Sequence, residues 1–216
     1  MTKDLSVFFL KLPQSLFWLF LALLSLLLVY VTLPYFSFRT NINFLLAKRD
    51  FIQDRVWMTA FYIHVSSSIV CLITGPWQFV PALRKGKWRK WHQTAGKAYI
   101  FSILLFAAPS GFYMALFANG GWGAQLGFGI LSVLWIFATY QAYAHIIRGN
   151  VAAHRTWMVR SYALTFSAVT LRLWVPILSL YFEVDHQTTV VATAWLNWIP
   201  NLLVGELIRI FYTKSL

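Results

Sequence analysis

Between Ala98 and Ile147 the chain runs for fifty residues without one Asp, Glu, Lys or Arg. A water-soluble domain carries about a quarter charged residues and cannot leave such a stretch bare. A bilayer core ~30 Å thick needs about 20 apolar residues at ~1.5 Å rise per residue, so fifty residues make two crossings. The sequence Asn119-Gly120-Gly121-Trp122-Gly123 at the midpoint is a turn signal that divides them. Composition agrees: 59% of the side chains are hydrophobic, 11% are charged, and the mean hydropathy is +0.64. Other charge-poor runs bring the count to six, at about residues 14–34, 57–82, 96–117, 124–147, 156–182 and 188–211. The expected fold is an all-α integral membrane protein, a single transmembrane domain over 1–216. It is an up-and-down bundle with a four-helix core built from the second to fifth helices.

The first run follows a basic segment, as a signal peptide does. It is too long for a secretory apolar region, and its exit, Val29-Tyr30-Val31-Thr32-Leu33-Pro34, has no small-residue cleavage site, so it reads as a retained helix. The single cysteine, Cys71, cannot close an internal disulfide, and its mid-span apolar setting suits packing.

The 18 Lys+Arg against 6 Asp+Glu would suggest nucleic acid in a soluble chain, but here they sort by loop. Lys3, Lys11, Arg84, Lys85, Lys87, Arg89, Lys90, Lys97, Arg148, Arg155, Arg160, Arg209 and Lys214 fall on one side of a six-span topology. Arg39, Lys48, Arg49 and Arg55 fall on the other, and Arg172 lies inside a span. The positive-inside rule puts both termini and the Arg84–Lys97 and Arg148–Arg155 loops in the cytoplasm. That topological cause removes most of the case for nucleic acid, for which no fold motif is present. The run from Arg84 to Lys90, with Trp88 and Trp91, suits anionic lipid head groups at an interface. On the outer side Ile42–Phe51 is expected as a short amphipathic helix on the surface.

Ionisable residues inside spans usually face the bundle interior and mark function. On the fifth helix His154, Met158, Ser161, Thr165, Ala168 and Arg172 recur at helical steps, with Arg172 about 27 Å deeper than His154. On the second helix His64, Ser68, Cys71, Gly75 and Gln78 form a comparable stripe. It runs the other way, so His64 and Arg172 share a depth. With Asn197 on the sixth helix, His64, Ser68 and Arg172 outline a candidate outer pocket. Gly123 and Gly127 are spaced for close helix packing. Glu206 matches Arg160 in depth, and an ion pair between them is the economical reading, with a proton-relay carboxylate as the rival.

His92 opens the third helix, His145 closes the fourth and His154 opens the fifth, all at one cytoplasmic-side depth. The third and fifth helices are parallel, so His92 and His154 can face one metal from opposite sides, as a bis-histidine b-type haem requires. His145 and Arg155 stand in the same neighbourhood, and cationic neighbours suit haem propionates, whereas zinc would look for thiolates or carboxylates. Two other readings stay open: interfacial histidines that cap helices and touch head groups, and a different metal. His64 and His145 lie at opposite ends of their helices, which caps the count at one haem, and His186 sits in the outer loop. Motifs for zinc hydrolases, nucleophile elbows and phosphate loops are absent.

Gly75-Pro76-Trp77-Gln78-Phe79, Trp91-His92-Gln93-Thr94-Ala95-Gly96-Lys97-Ala98-Tyr99, the run from His154 to Thr165 with Thr170-Leu171-Arg172-Leu173-Trp174, and the run from Trp195 to Glu206 together resemble a bacterial family of predicted membrane proteins classed as domain of unknown function 2306. The resemblance implies a multi-pass protein of the bacterial inner membrane with no established activity. More loosely, His92-x-x-x-Gly96 is similar to the helix start of cytochrome b561-like and ferric-reductase-like haem bundles. The expected function is a membrane redox protein with one haem b, exchanging electrons with quinone or another redox partner. The alternatives are a transporter or small-molecule-binding bundle around Arg172 and His64, and a structural or assembly partner without cofactor.

Overall fold

The computed structural model describes residues 14–212, and within them every regular element is a helix. Five helices are long and apolar enough to cross a membrane: α1 (Leu16–Ser37), α2 (Arg55–Phe79), α3 (Gly86–Ala115), α4 (Trp122–Ile147) and α5 (Val151–Tyr181). The last apolar run is two shorter helices, α6 (His186–Leu196) and α7 (Ile199–Tyr212), separated at Asn197-Trp198. Pro200 explains the interruption, since it has no N–H to donate to the carbonyl of Leu196 four residues back, where α6 ends. Lys3, Lys11 and Lys214 lie outside the described residues.

Starts and stops follow local chemistry. The Asp54 carboxylate accepts from the Val56 and Trp57 amides at 2.8 and 3.3 Å to cap α2, and the Asn150 side chain accepts from Ala153 N at 3.0 Å to cap α5. The α4–α5 turn closes through Gly149 at φ 74°, a left-handed conformation that glycine takes without steric cost. Pro76 turns the end of α2 into a 3₁₀ segment. The two π-helical turns, Ile103–Ala107 in α3 and Ile177–Tyr181 in α5, lie beside Pro109 and Pro176, whose missing N–H groups disturb the regular ladder. α3 begins twelve residues before the charge-free run does. A helix does not stop at the hydrocarbon edge, and the Arg89–Lys97 turns continue it into the basic interface.

The second to fifth helices close a ring: α2 packs on α3, α3 on α4, α4 on α5, and α5 returns to α2. α1 covers α2 and α5, while α6 and α7 cover α4 and α5. The α4–α6 crossing is close because a Cβ on Gly127 would lie 2.9 Å from Ala194 O, and one on Gly123 would lie 3.0 Å from Val191. The core between these helices holds Tyr99, Ile103, Trp135, Ala138, Met158, Tyr162 and Leu164. Leu19, Phe20, Leu23, Leu105, Val133 and Phe137 project outward, as lipid-facing positions should.

The segment after α1 corrects the surface-helix expectation. Only Asn43–Leu46 is helical, and Leu45 is fully buried among Tyr35, Trp57 and Phe61 as a plug in the end of the bundle. Lys48 is only 4% exposed; its ammonium donates to Phe117 O and, at 2.7 Å, to Asn119 Oδ1, while Asn119 returns a bond to Ala47 O at 3.1 Å. These bonds satisfy the carbonyls of the α3–α4 turn, so the plug is tied by polar as well as apolar contacts. Burial pushes the Lys48 pKa down to about 8, against the pull of Asp50.

Candidate functional site

The basic end of the bundle gathers charge from three separate segments. His92 stands in the first helical turn after Arg89, His154 in the first turns of α5, and Arg84 in the connection between α2 and α3. The Nδ1 atom of His154 is 2.7 Å from Ala142 O, and an imidazole nitrogen facing a carbonyl must carry the hydrogen. That fixes the ring and leaves Nε2 with its lone pair free, the orientation that a carbonyl on the far nitrogen imposes on metal-binding histidines. His92 has Arg84 and His154 as its electrostatic neighbours, and His154 has Arg155, Arg84 and His145. The Nδ1 atom of His92 is buried and has no hydrogen-bond partner.

The Arg84 guanidinium donates to Phe79 O at 3.2 Å and is half-buried. Burial first, and the Arg155 charge second, hold its pKa below the ordinary arginine range. Like charges gathered in this way call for an anion. Of the chain's six carboxylates, Asp4 lies outside the described residues, and Asp50, Asp54, Glu183 and Asp185 stand at the opposite end of the bundle. Glu206 is already held by Arg160 at 2.5 Å and Arg209 at 2.7 Å. Among the described residues the Arg84–Arg155–His92–His154 cluster therefore has no carboxylate to neutralise it. Those residues contain no group of three or more His, Cys, Asp or Glu that would hold a bare ion.

About two to three turns deeper a hydroxyl network ties α3, α4 and α5 together. The bond directions follow by elimination. The Trp135 indole only donates, to Thr165 Oγ1 at 3.0 Å, and Thr165 donates to Ser161 O at 3.0 Å. Tyr99 must then donate to Thr165 at 2.6 Å, accept from Ser161 Oγ at 3.0 Å, and Thr139 must donate to Ser161 Oγ at 2.7 Å. The chain of donors ends on a helix carbonyl and each member is satisfied, so the network clamps the three helices together. Ser161 and Thr165 stood on the stripe read from sequence; Tyr99, Trp135 and Thr139 did not. The 135, 139 and 142 spacing on α4 carried the signal, but an aromatic and a hydroxyl inside an apolar run look like ordinary lipid-facing residues.

At the opposite end, His64 Nδ1 donates to Ala107 O at 2.8 Å, within the π-helical turn of α3, and the imidazole fills the space a side chain on Gly111 would need. His64 has Arg172 as a charged neighbour, and Arg172 has Tyr35. The Arg172 side chain is exposed and donates to Ala168 O at 3.1 Å. Ser68 Oγ is buried without a partner. Asn197 is fully buried at the α6–α7 break, where Nδ2 donates to Thr193 O at 2.5 Å and its carbonyl accepts from Thr170 and Asn201. It thus belongs to a knot where the α6–α7 break meets the α5 kink at Phe166, and Oδ1 is left unpaired.

With the geometry established, comparison with known proteins adds one result. The model of a family described as predicted membrane protein (DUF2306) matches residues 61–209, most of the chain from α2 to α7, and the chain belongs to that family. No curated protein and no solved structure matches it.

Proposed function

We propose that this member of a predicted-membrane-protein family is a six-crossing bacterial inner-membrane protein. It would hold one b-type haem at its cytoplasmic end, with His92 and His154 as axial ligands, and exchange electrons with quinone or a cytoplasmic donor. In this reading α6 and α7 together make the sixth crossing and both termini are cytoplasmic. The observation that carries it is the cluster itself: two imidazoles from α3 and α5 sharing an electrostatic neighbourhood with Arg84 and Arg155, and no described carboxylate to balance them. The orphaned His92 Nδ1 and the carbonyl-oriented His154 ring support a ligand role. A bound haem would supply one-electron chemistry at its iron, at a potential set by axial ligation and burial. The chain's part is to orient His154 through Ala142 and to pair the propionates with Arg84 and Arg155. The Tyr99 clamp holds α3 and α5 at a fixed spacing about two to three turns beneath.

The test is an absorption spectrum of the detergent-solubilised protein, oxidised and then reduced. The expected result is a Soret band that is lost in His92→Ala and His154→Ala and kept in His186→Ala. A colourless protein, or a band indifferent to both substitutions, overturns the proposal and leaves lipid phosphates as the counter-ions of the cluster. A second reading rests on the proximity of His64 and Arg172: a transporter or small-molecule-binding bundle with its site at the outer end. It predicts a colourless protein whose ligand-induced thermal stabilisation disappears in Arg172→Ala.

A further inference from the structure

We propose that the groove between α2 and the π-helical turn of α3 is a specific site for one phospholipid, its phosphate on Arg55 and one acyl chain laid along α2. The groove is open along its outer side, has a volume of about 810 Å³ and is lined by Phe38, Arg55, Thr59, Ser66, Ser102 and Phe106 among others. Its residues on α2 run from Arg55 to Val70, which at ~1.5 Å per residue is about 22 Å. One leaflet of a bilayer core is ~15 Å deep, so the groove accommodates a head-group region and the acyl chain below it.

Charge selects the occupant. Arg55 is exposed at the mouth, and the two ion pairs among the described residues both belong to Glu206. The neighbouring Asp54 carboxylate is engaged by the Val56 and Trp57 amides. An unmatched guanidinium at the top of an apolar channel is complementary to a phosphate on a hydrocarbon tail. Phe38 forms the lip. It is held at φ 58° and ψ 16°, a left-handed conformation costly for a bulky residue, with its ring 5.2 Å from that of Tyr62. The wall below is formed by Ser102, at the start of the π-helical turn Ile103–Ala107, and Phe106 within it.

The experiment is native mass spectrometry of the delipidated protein titrated with phosphatidylglycerol. Wild type is expected to retain one molecule per chain. Arg55→Gln, which removes the phosphate contact, should weaken retention about five-fold, and Ser66→Trp, which fills the groove from an outward-facing position, should weaken it as well. Diacylglycerol, which has the chains without the phosphate, should bind wild type and Arg55→Gln alike. Val133→Trp, at another exposed position, on α4, controls for general surface change and should retain the lipid as wild type does. Unchanged retention in Ser66→Trp or Arg55→Gln, or an equal loss in Val133→Trp, overturns the proposal.

Discussion

Thr165→Val deletes one oxygen from the middle of the bundle while keeping the side-chain shape, and the structure specifies who loses by it. Thr165 Oγ1 is the acceptor for the Trp135 indole and for the Tyr99 hydroxyl. The hydroxyl can rotate to Ser161 Oγ, which is 3.0 Å away, but the indole N–H has one fixed direction and Trp135 is buried. One hard orphan therefore remains, costing ~1–3 kcal/mol in a protein interior. Interhelical hydrogen bonds in membrane proteins average ~0.6 and reach ~1.7 kcal/mol, so we expect about 1.5 kcal/mol. Tyr99→Phe removes a bond but leaves only rotatable hydroxyls, which re-pair locally, and should cost about 0.5 kcal/mol. Unfolding in mixed micelles of rising dodecyl sulfate content, followed by tryptophan fluorescence, ranks the two. In a Trp135→Phe background the Thr165→Val penalty should shrink, because no indole is left to orphan. A Tyr99→Phe variant as unstable as Thr165→Val, or a Thr165→Val penalty unchanged by Trp135→Phe, refutes the directed network.

Glu206→Gln weakens the tie between α5 and α7. With the side chains of Arg160 and Glu206 about a third exposed, the expected loss is about 1 kcal/mol, read as a lower melting temperature in detergent and reduced by high salt. Gly127→Leu drives a side chain into Ala194 at the α4–α6 crossing and should cost more, ~1–3 kcal/mol in the same melt. Lys48 has a folded-state pKa of about 8, below its ordinary 10.5. Between those values the unfolded chain binds more protons than the folded one, so the Lys48 contribution to stability rises with pH across that window. The difference in melting temperature between wild type and Lys48→Met should grow in wild type's favour from pH 8 toward 10.5, and a flat difference contradicts the buried ammonium.

The helices were legible because charge-free runs, glycine turns and proline stops are local signals. The break at Asn197-Trp198 was also written locally, in Pro200, but a high apolar content over residues 188–211 concealed it, leaving two helices of 11 and 14 residues where one was expected. The plug at Leu45 and Lys48 was not legible. Its burial depends on Tyr35, Trp57 and Asn119, residues brought together only by the closed bundle. At the site, helical phase and depth placed His92 near His154 and His64 near Arg172, because a rigid rise of ~1.5 Å per residue converts sequence distance into height. Depth alone also paired Arg160 with Glu206 but did not reveal Arg209, which reaches the same carboxylate from the next turn of α7. What phase and height could not supply was azimuth between helices. Tyr99, Trp135 and Thr139 point at α5 only because of how α3 and α4 rotate in the ring.

The measurement closest to the central claim is a reduced-minus-oxidised difference spectrum of the purified protein, taken together with the electron paramagnetic resonance of its oxidised form. A low-spin bis-imidazole iron signal that disappears on replacing either His92 or His154, and survives His64→Ala, is the predicted result. Absence of any haem signal from protein produced with ample haem supply would contradict it.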